Sequence, residues 1–402
     1  MAEEDRGWLA IHLANVGDFQ KISKKSLDDR IQWVLDNDQW LRLVNDNPIG
    51  TFDLWTQADK PFQFLAAIFA YYSDDPVCHL PISLDGTNSG VQHYALALRS
   101  SKDGHMVNLL PDDTCQDVYQ TVADQVIQDL TEDGSDEAKK WLEFGISRST
   151  VKRNVMTYGY SSVERGFGDQ IIEDLMQPLQ KDVNYGTIVE HPFGDPREQE
   201  HYARFLAKFN YQAVQKVISS VAQGMAFLQS YADALARESK SVRWTTPSGF
   251  PAIQRYTKPD VKRVRIFLYD REAKMTKQSR LTLHGIGPKY DTRKARAGVA
   301  PNFVHSLDAA HMQLAICHGL DQGIEDFFMI HDSFGTNAAD TWAFYHNIRH
   351  AIVDMYEDNC VLSNFEIECR NRLANPDMEL MQVPEKGDLD VRAVLESEYC
   401  FS

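Results

Sequence analysis

MIHDSFGT, Met329 to Thr336, sets a histidine and an aspartate side by side between an apolar run and a glycine turn. EDFF precedes it and NAAD follows, so the pair is expected at the tip of a short hydrophobic hairpin. A core disfavours an ionisable pair, and a turn does not require one. His331-Asp332 therefore reads as chemistry, provided a second carboxylate joins Asp332.

That carboxylate is expected at Asp85 in LPISLDGTNSGVQH, which also ends an apolar strand and is followed at once by glycine. The two aspartates are far apart in the chain, so nothing local requires both. Brought together, they can hold two Mg²⁺ ions about 3.5–4 Å apart, each shared with phosphate oxygens. Alone, each Asp-Gly-like site reads as a plain turn. A third stretch, SRSTVKRNVMTYGYSS (147–162), shifts the balance. Its periodicity predicts a helix over 147–167, with Arg148, Lys152, Met156 and Tyr160 on one slowly drifting face. Two cations one turn apart suit a triphosphate, and the aromatic beyond them can bound a base and sugar. An ordinary basic surface with a buried tyrosine fits the stripe alone equally well, and Tyr158-Gly159 competes with Tyr160 for the aromatic position.

The 402 residues imply two or three subdomains, and 43% hydrophobic with 25% charged residues is ordinary for a globular chain. No run of about 18 apolar residues predicts a membrane span, and MAEEDRGW lacks an apolar signal core, which argues against secretion. Six scattered cysteines with no CxxC spacing read as reduced thiols of a cytoplasmic protein. The net charge of −17 hides an asymmetry: Arg237 to Arg296 carry sixteen Lys and Arg against five Asp and Glu, so the rest of the chain carries −28. A basic segment on an acidic body suits local binding of a polyanion, and a solvated lysine-rich loop is the bland alternative.

Helical periodicity covers 26–46, 61–73, 114–130 after a capping Asp113, 136–144, 198–237 and 301–320 after its proline. CHLPISLDG reads as a strand, and VKRVRIFLYDREAKMTKQSRLTL alternates like a long β-hairpin. The order is α+β, a helical middle between two parts that carry the carboxylates.

Asp85, the Arg148/Lys152/Tyr160 stripe and His331-Asp332 resemble, in that order, motifs A, B and C of a template-directed polymerase. LDGTNSGVQH, NLLPDDTCQDVY, SRSTVKRNVMTYGYSS, APNFVHSLDAAH, IHDSFGT and the closing KGDLDVRAVLESEYCFS look like the single-subunit RNA polymerases of T7-like bacteriophages. The likeness runs from about Trp8 to Ser402. It implies a right-hand polymerase palm with a largely helical fingers insertion, the thumb and N-terminal domain being absent. Palm would comprise 1–113 and 306–402, and fingers 114–305, including a specificity-type loop at 247–285.

The same resemblance implies DNA-templated RNA synthesis from rNTPs in phage transcription, in the host cytoplasm, with two Mg²⁺ ions on Asp85, Asp332 and the Gly86 carbonyl. Arg148, Lys152 and Lys21 would meet the triphosphate. Tyr160 would screen the sugar, His305 would sense its 2′-OH, and Tyr119 would share the site. His331 would orient the site beside Asp332. Lys262, Arg263, Arg265 and Arg153 would touch nucleic acid, and Arg263 and Arg265 are the residues expected to reach base edges. Related DNA polymerases place a bulky glutamate five positions after the motif A aspartate, where this chain has Gly90. Ser161 departs from the glycine that the family has after the tyrosine. The closing EYCFS is expected to pack near the site, so tags after Ser402 would impair synthesis. DNA template and promoter and the RNA product are the expected partners; a split polymerase would add a separate N-terminal polymerase fragment, whereas a truncated chain or an incomplete reading frame would not. The alternatives are a catalytically incomplete nucleic-acid-binding half of a split polymerase, or a DNA polymerase or primase with the same metal site.

Overall fold

The first helix, Glu3–Gly17, is apolar and buried on both faces from Trp8 to Val16. In the computed structural model, which describes residues 3–75, 77–272 and 274–402, it joins two cores. Trp8, Leu9 and Ile11 enter the main core. Leu13, Ala14 and Val16 enter a smaller one with Val34, Leu41, Val44 and Phe64 from the following helices. The palm span from Met1 and the loop span through Ala273 can be followed only across the described residues.

Among the described residues seven strands form: β1 (Ile82–Asp85), β2 (Val242–Thr245), β3 (Pro251–Gln254), β4 (Thr257–Asp270), β5 (Met275–Tyr290), β6 (Phe328–Ile330) and β7 (Ser333–Thr336). They make three small antiparallel sheets, so the fold is α+β as expected. The first sheet, ordered β1-β7-β6, carries the site. Its register pairs Ile82 with Thr336 and Asp85 with Ser333. Central β7 needs Gly335, because a Cβ there would lie 2.8 Å from the Phe328 carbonyl oxygen. The β6–β7 hairpin has His331-Asp332 at its tip, as the sequence predicts.

The spans 26–46 and 198–237 each divide into two helices, Leu27–Asp36 with Asp38–Asp46 and Pro196–Val217 with Ser219–Arg237, and three further boundaries differ from expectation. The helix expected from Thr114 begins at Val118, where the Asp117 carboxylate accepts the amides of Tyr119 and Gln120. Asp112 holds the preceding turn through the Thr114 amide, so the cap falls at Asp117 and not at Asp113. The helix expected over 147–167 is two, Arg148–Tyr158 and Glu164–Ile171, with a turn between them where Ser161 has φ 63°. Tyr160 therefore leaves the helical face and sits in that turn. The helix expected after Pro301 starts earlier, at Thr292, and runs unbroken to Asp321 with Pro301 inside it. Burial of Val299, Phe303, Val304 and Leu307 along one side outweighs the hydrogen bond that the proline removes.

The ribbon of β4 and β5 pairs from Thr257–Tyr290 to Asp270–Met275 and is solvent-exposed for most of its length. The six cysteines are free. No helix among the described residues is long and apolar enough to cross a membrane.

Candidate active site

Strand pairing brings the two carboxylates to one place. The Gly86 amide donates to the Asp332 carbonyl at 3.1 Å, one residue beyond the last β1–β7 pair. Gly86 also bridges Phe401, and the Ser402 amide donates to the Asp85 carbonyl at 3.2 Å. A Cβ on Gly86 would crowd the buried Gln92 Oε1 at 3.2 Å and the Phe401 ring at 3.4 Å. The closing segment is fixed from behind by the fully buried Arg349, which donates to the carbonyls of Ser397, Glu398 and Phe401. EYCFS thus packs against the site, as expected.

A cavity of about 650 Å³ opens over this hub. Asp85, Gly86, Tyr119, Arg148, Lys152, Tyr160, His331 and Asp332 all line it. One wall is cationic. Arg148 Nε lies 2.6 Å from the Asp117 carboxylate, and its guanidinium stacks 4.7 Å from the Tyr119 ring centre. The Tyr119 hydroxyl in turn accepts from Asn88 Nδ2 at 3.3 Å. Burial, then the charges of Arg148 and Lys24, push the Lys152 ammonium below its ordinary range. A site that destabilises its own cations favours an anionic ligand.

Acidic groups share the lining. Burial raises the Asp332 carboxyl, and the neighbouring charges of Asp308 and Asp85 raise it further. His331 beside it adopts φ 54°, a left-handed conformation that costs a non-glycine residue about 1–2 kcal/mol. Burial holds the Tyr119 and Tyr160 hydroxyls up at about 12. It also pushes His12, with help from Lys60, down to about 4. The tyrosines are protonated and His12 is neutral at pH 7.

Tyr160, not Tyr158, faces the cavity. Tyr158 is buried between the Phe167 and Tyr211 rings, whereas the Tyr160 ring lies 4.6 Å from that of His305. His305 is solvent-exposed beside Tyr160 and does not itself line the cavity. Lys21 does not line it either and sits in a left-handed turn, φ 61°. Lys24, three residues on, does line it. The run QKISKK holds three lysines, and no periodicity in a 3₁₀ turn distinguishes the one that points inward. His12 and Lys60 also escape the sequence reading, since a lone histidine or lysine in an apolar stretch carries no signal.

Arg153 is engaged elsewhere, with Asp174 at 2.6 Å and Glu173 at 3.0 Å. Lys262, Arg263 and Arg265 lie on exposed β4, away from the cavity lining.

No group of three or more His, Cys, Asp or Glu that could hold a metal occurs among the described residues. The donors present at the hub are two carboxylates and backbone carbonyls, hard oxygen ligands suited to Mg²⁺. Mg²⁺ keeps several waters and takes one or two carboxylates plus substrate phosphates, so a full protein cage is not required. The upward push on Asp332 from neighbouring negative charge is what a cation there would relieve. The residues fit the ion.

The sequence matches the family of DNA-dependent RNA polymerases over residues 1–381. It is 34% identical to the DNA-directed RNA polymerase of Enterobacteria phage K11, over 98% of this chain and 47% of that protein. It is 32% identical to T7 RNA polymerase of Escherichia phage T7, over 100% of this chain and 49% of that protein. DNA-directed RNA polymerase 1, mitochondrial, of Arabidopsis thaliana is 30% identical over 98% of this chain and 39% of its own length. The chain spans about half the length of the phage relatives it matches. On the family match, with the motifs in one cavity, the chain belongs to the DNA-dependent RNA polymerases.

Proposed function

We propose that the chain forms the palm and fingers of a phage-type RNA polymerase and carries its DNA-templated nucleotidyl-transfer centre. Palm comprises 1–113 and 306–402, fingers 114–305. The observation that carries the reading is the joining of Gly86 to Asp332 across β1 and β7 at a cavity that Arg148 and Lys152 also line.

Asp85 and Asp332, with the Gly86 carbonyl, would hold Mg²⁺. Bound Mg²⁺ would supply Lewis acidity at the attacking RNA 3′-OH and at the departing pyrophosphate. Arg148 and Lys152, with Lys24 beside them, bind the triphosphate of the incoming rNTP and set its α-phosphate in line. Tyr119 supports Arg148 from below. Tyr160, with the His305 ring beside it, forms the wall against the sugar, and Gly90 leaves room for its 2′-OH. A site that hydrogen-bonds that hydroxyl rejects nucleotides lacking it, because its own polar groups are then left unpaired. The nucleic-acid contacts of the ribbon are assigned to Lys262, Arg263 and Arg265. The partners are template and promoter DNA and the RNA product.

The test is extension of an RNA primer annealed to a DNA template, with Mg²⁺ and either rNTPs or dNTPs, Asp332→Asn serving as control. Extension with rNTPs that the mutant loses supports the reading. Extension with dNTPs alone overturns the sugar assignment. Scaffold binding with no synthesis favours a binding-only role.

A further inference from the structure

Asn88 lies between the strand that ends at Asp85 and the helix Ser89–Leu98, and both ends of its amide are engaged. Its Oδ1 caps the helix by accepting the Val91 amide at 3.2 Å. That bond settles the orientation of the group, because a turned amide would set its own donor against the Val91 N–H. Nδ2 is therefore the end that faces Tyr119, and it donates to the Tyr119 hydroxyl oxygen at 3.3 Å.

The consequence falls on the phenol. A hydroxyl whose oxygen accepts from Asn88 keeps its own proton for a different acceptor. Tyr119 is 6% exposed, and no side chain or carbonyl among the described residues accepts that proton. A buried donor left without an acceptor is costly, so the acceptor belongs to a ligand. Tyr119 lines the cavity together with Asn88, Arg148 and Lys152. The Arg148 guanidinium lies 4.7 Å from the Tyr119 ring centre, and Lys152 follows one turn later on the same helix. A cation on the face of the ring and an unused O–H at its edge suit the same ligand, an anionic oxygen.

We propose that Asn88 is a positioning residue for the incoming nucleotide: by donating to the Tyr119 oxygen it commits the Tyr119 O–H to the cavity, as a donor to a triphosphate oxygen. This rests on the reading of Arg148 and Lys152 as triphosphate ligands. Asn88 acts through Tyr119. Its loss leaves the ring under Arg148 and frees the hydroxyl to turn.

The test measures equilibrium binding of Mg·ATP and of Mg·tripolyphosphate to the chain on an annealed primer–template with template dT, the primer ending in a 3′-deoxynucleotide so that nothing turns over. Asn88→Ser keeps a good helix cap but is too short to reach the phenol, so its urea midpoint should match wild type. It should weaken ATP about fivefold, the worth of one directed hydrogen bond, and tripolyphosphate by the same factor. Tyr119→Phe should weaken both at least as much, and adding Asn88→Ser to it should change nothing further. A fivefold loss that persists in the Tyr119→Phe background overturns the inference, since Asn88 then acts without the phenol. Equal affinities of wild type and Asn88→Ser overturn it as well. A loss seen with ATP and absent with tripolyphosphate moves the O–H to the sugar and overturns the phosphate assignment. Asn88→Thr, another capping residue without an amide, takes the place of Asn88→Ser with the same expectations if the serine variant does not fold. Wild type that binds no ATP would sink the triphosphate reading and the inference with it. Wild type that binds ATP but does not extend a normal primer would sink the catalytic reading alone, and the binding comparison still decides the role of Asn88.

Discussion

The Gly86 amide and the Asp332 carbonyl are joined by a 3.1 Å hydrogen bond, and through it two distant chain segments present their aspartates to one cavity. The backbone makes the junction, so the side chains are free to be changed without breaking it. Asp85→Asn and Asp332→Asn should each lower primer extension by about 10³-fold, the scale of losing an essential electrostatic contact to the reacting centre. Asp332→Asn should also unfold at the same or a slightly higher urea concentration, because burial and its acidic neighbours already disfavour its charge. A marked drop in stability would mean that Asp332 is structural.

Gly90 offers a direct trial of the sugar assignment. A Cβ there would meet the Tyr160 ring and hydroxyl at 3.6 Å, ordinary contact distance. Gly90→Ala should therefore fold and retain most rNTP use. Gly90→Glu would extend into the space beside Tyr160 and should reduce kcat/KM for rNTPs well beyond that for dNTPs. An equal effect on both would show that Gly90 does not border the 2′ position.

Ser161 holds a left-handed conformation at φ 63° in the turn that carries Tyr160. That conformation costs a non-glycine residue about 1–2 kcal/mol, and glycine gives back part of the gain through a more flexible unfolded chain. Ser161→Gly should raise stability by about 0.5 kcal/mol in urea unfolding. A drop instead would show that the Ser161 side chain holds more than its 3.8 Å contact with the Met225 sulfur.

The sequence carried the site further than it carried the fold around it. Asp85, Asp332, Arg148 and Lys152 were legible because each sits in a motif whose spacing has a chemical reason. Their partners were not. Asp117 holds Arg148 from a loop 31 residues earlier, Lys24 enters from a 3₁₀ turn, and His93 meets Asp308 from 215 residues away. Tertiary packing sets those pairings, and periodicity does not encode them. The same limit explains Pro301, where burial of the helix overrides a residue that normally ends one.

His311 gives the chain an acid limit. It is fully buried, burial pushes its pKa down to about 3, and its Nε2 donates to the Ile348 carbonyl at 2.8 Å. The unfolded histidine titrates near 6.5. Between these values the unfolded chain binds the extra proton, so stability falls as pH falls below about 6.5, by about 1.4 kcal/mol per pH unit from this residue. Going from pH 7 to pH 5 should cost about 2 kcal/mol on this account. Asp332, raised in the folded state, works the other way, so the comparison is between wild type and His311→Gln. The variant's urea midpoint should depend less steeply on pH over this window. Parallel slopes would show that His311 is protonated in the folded protein.

The exposed ribbon carries its own prediction. Residues two apart on a strand share a face, so Arg263 and Arg265 point one way and Lys262 the other. Arg265 pairs directly with Arg280 across the ribbon, and like charges in that position repel. A phosphate between them would remove the repulsion. If the ribbon binds duplex DNA, Arg263→Ala with Arg265→Ala should weaken binding and reduce the slope of log K against log salt by about 2, one for each phosphate no longer neutralised. Lys262→Ala, on the opposite face, should change the slope by less than either arginine. Because the double variant also removes a like-charge pair, the ribbon should not lose stability, and weaker binding cannot be put down to unfolding. An unchanged slope would mean that this face of the ribbon does not meet DNA.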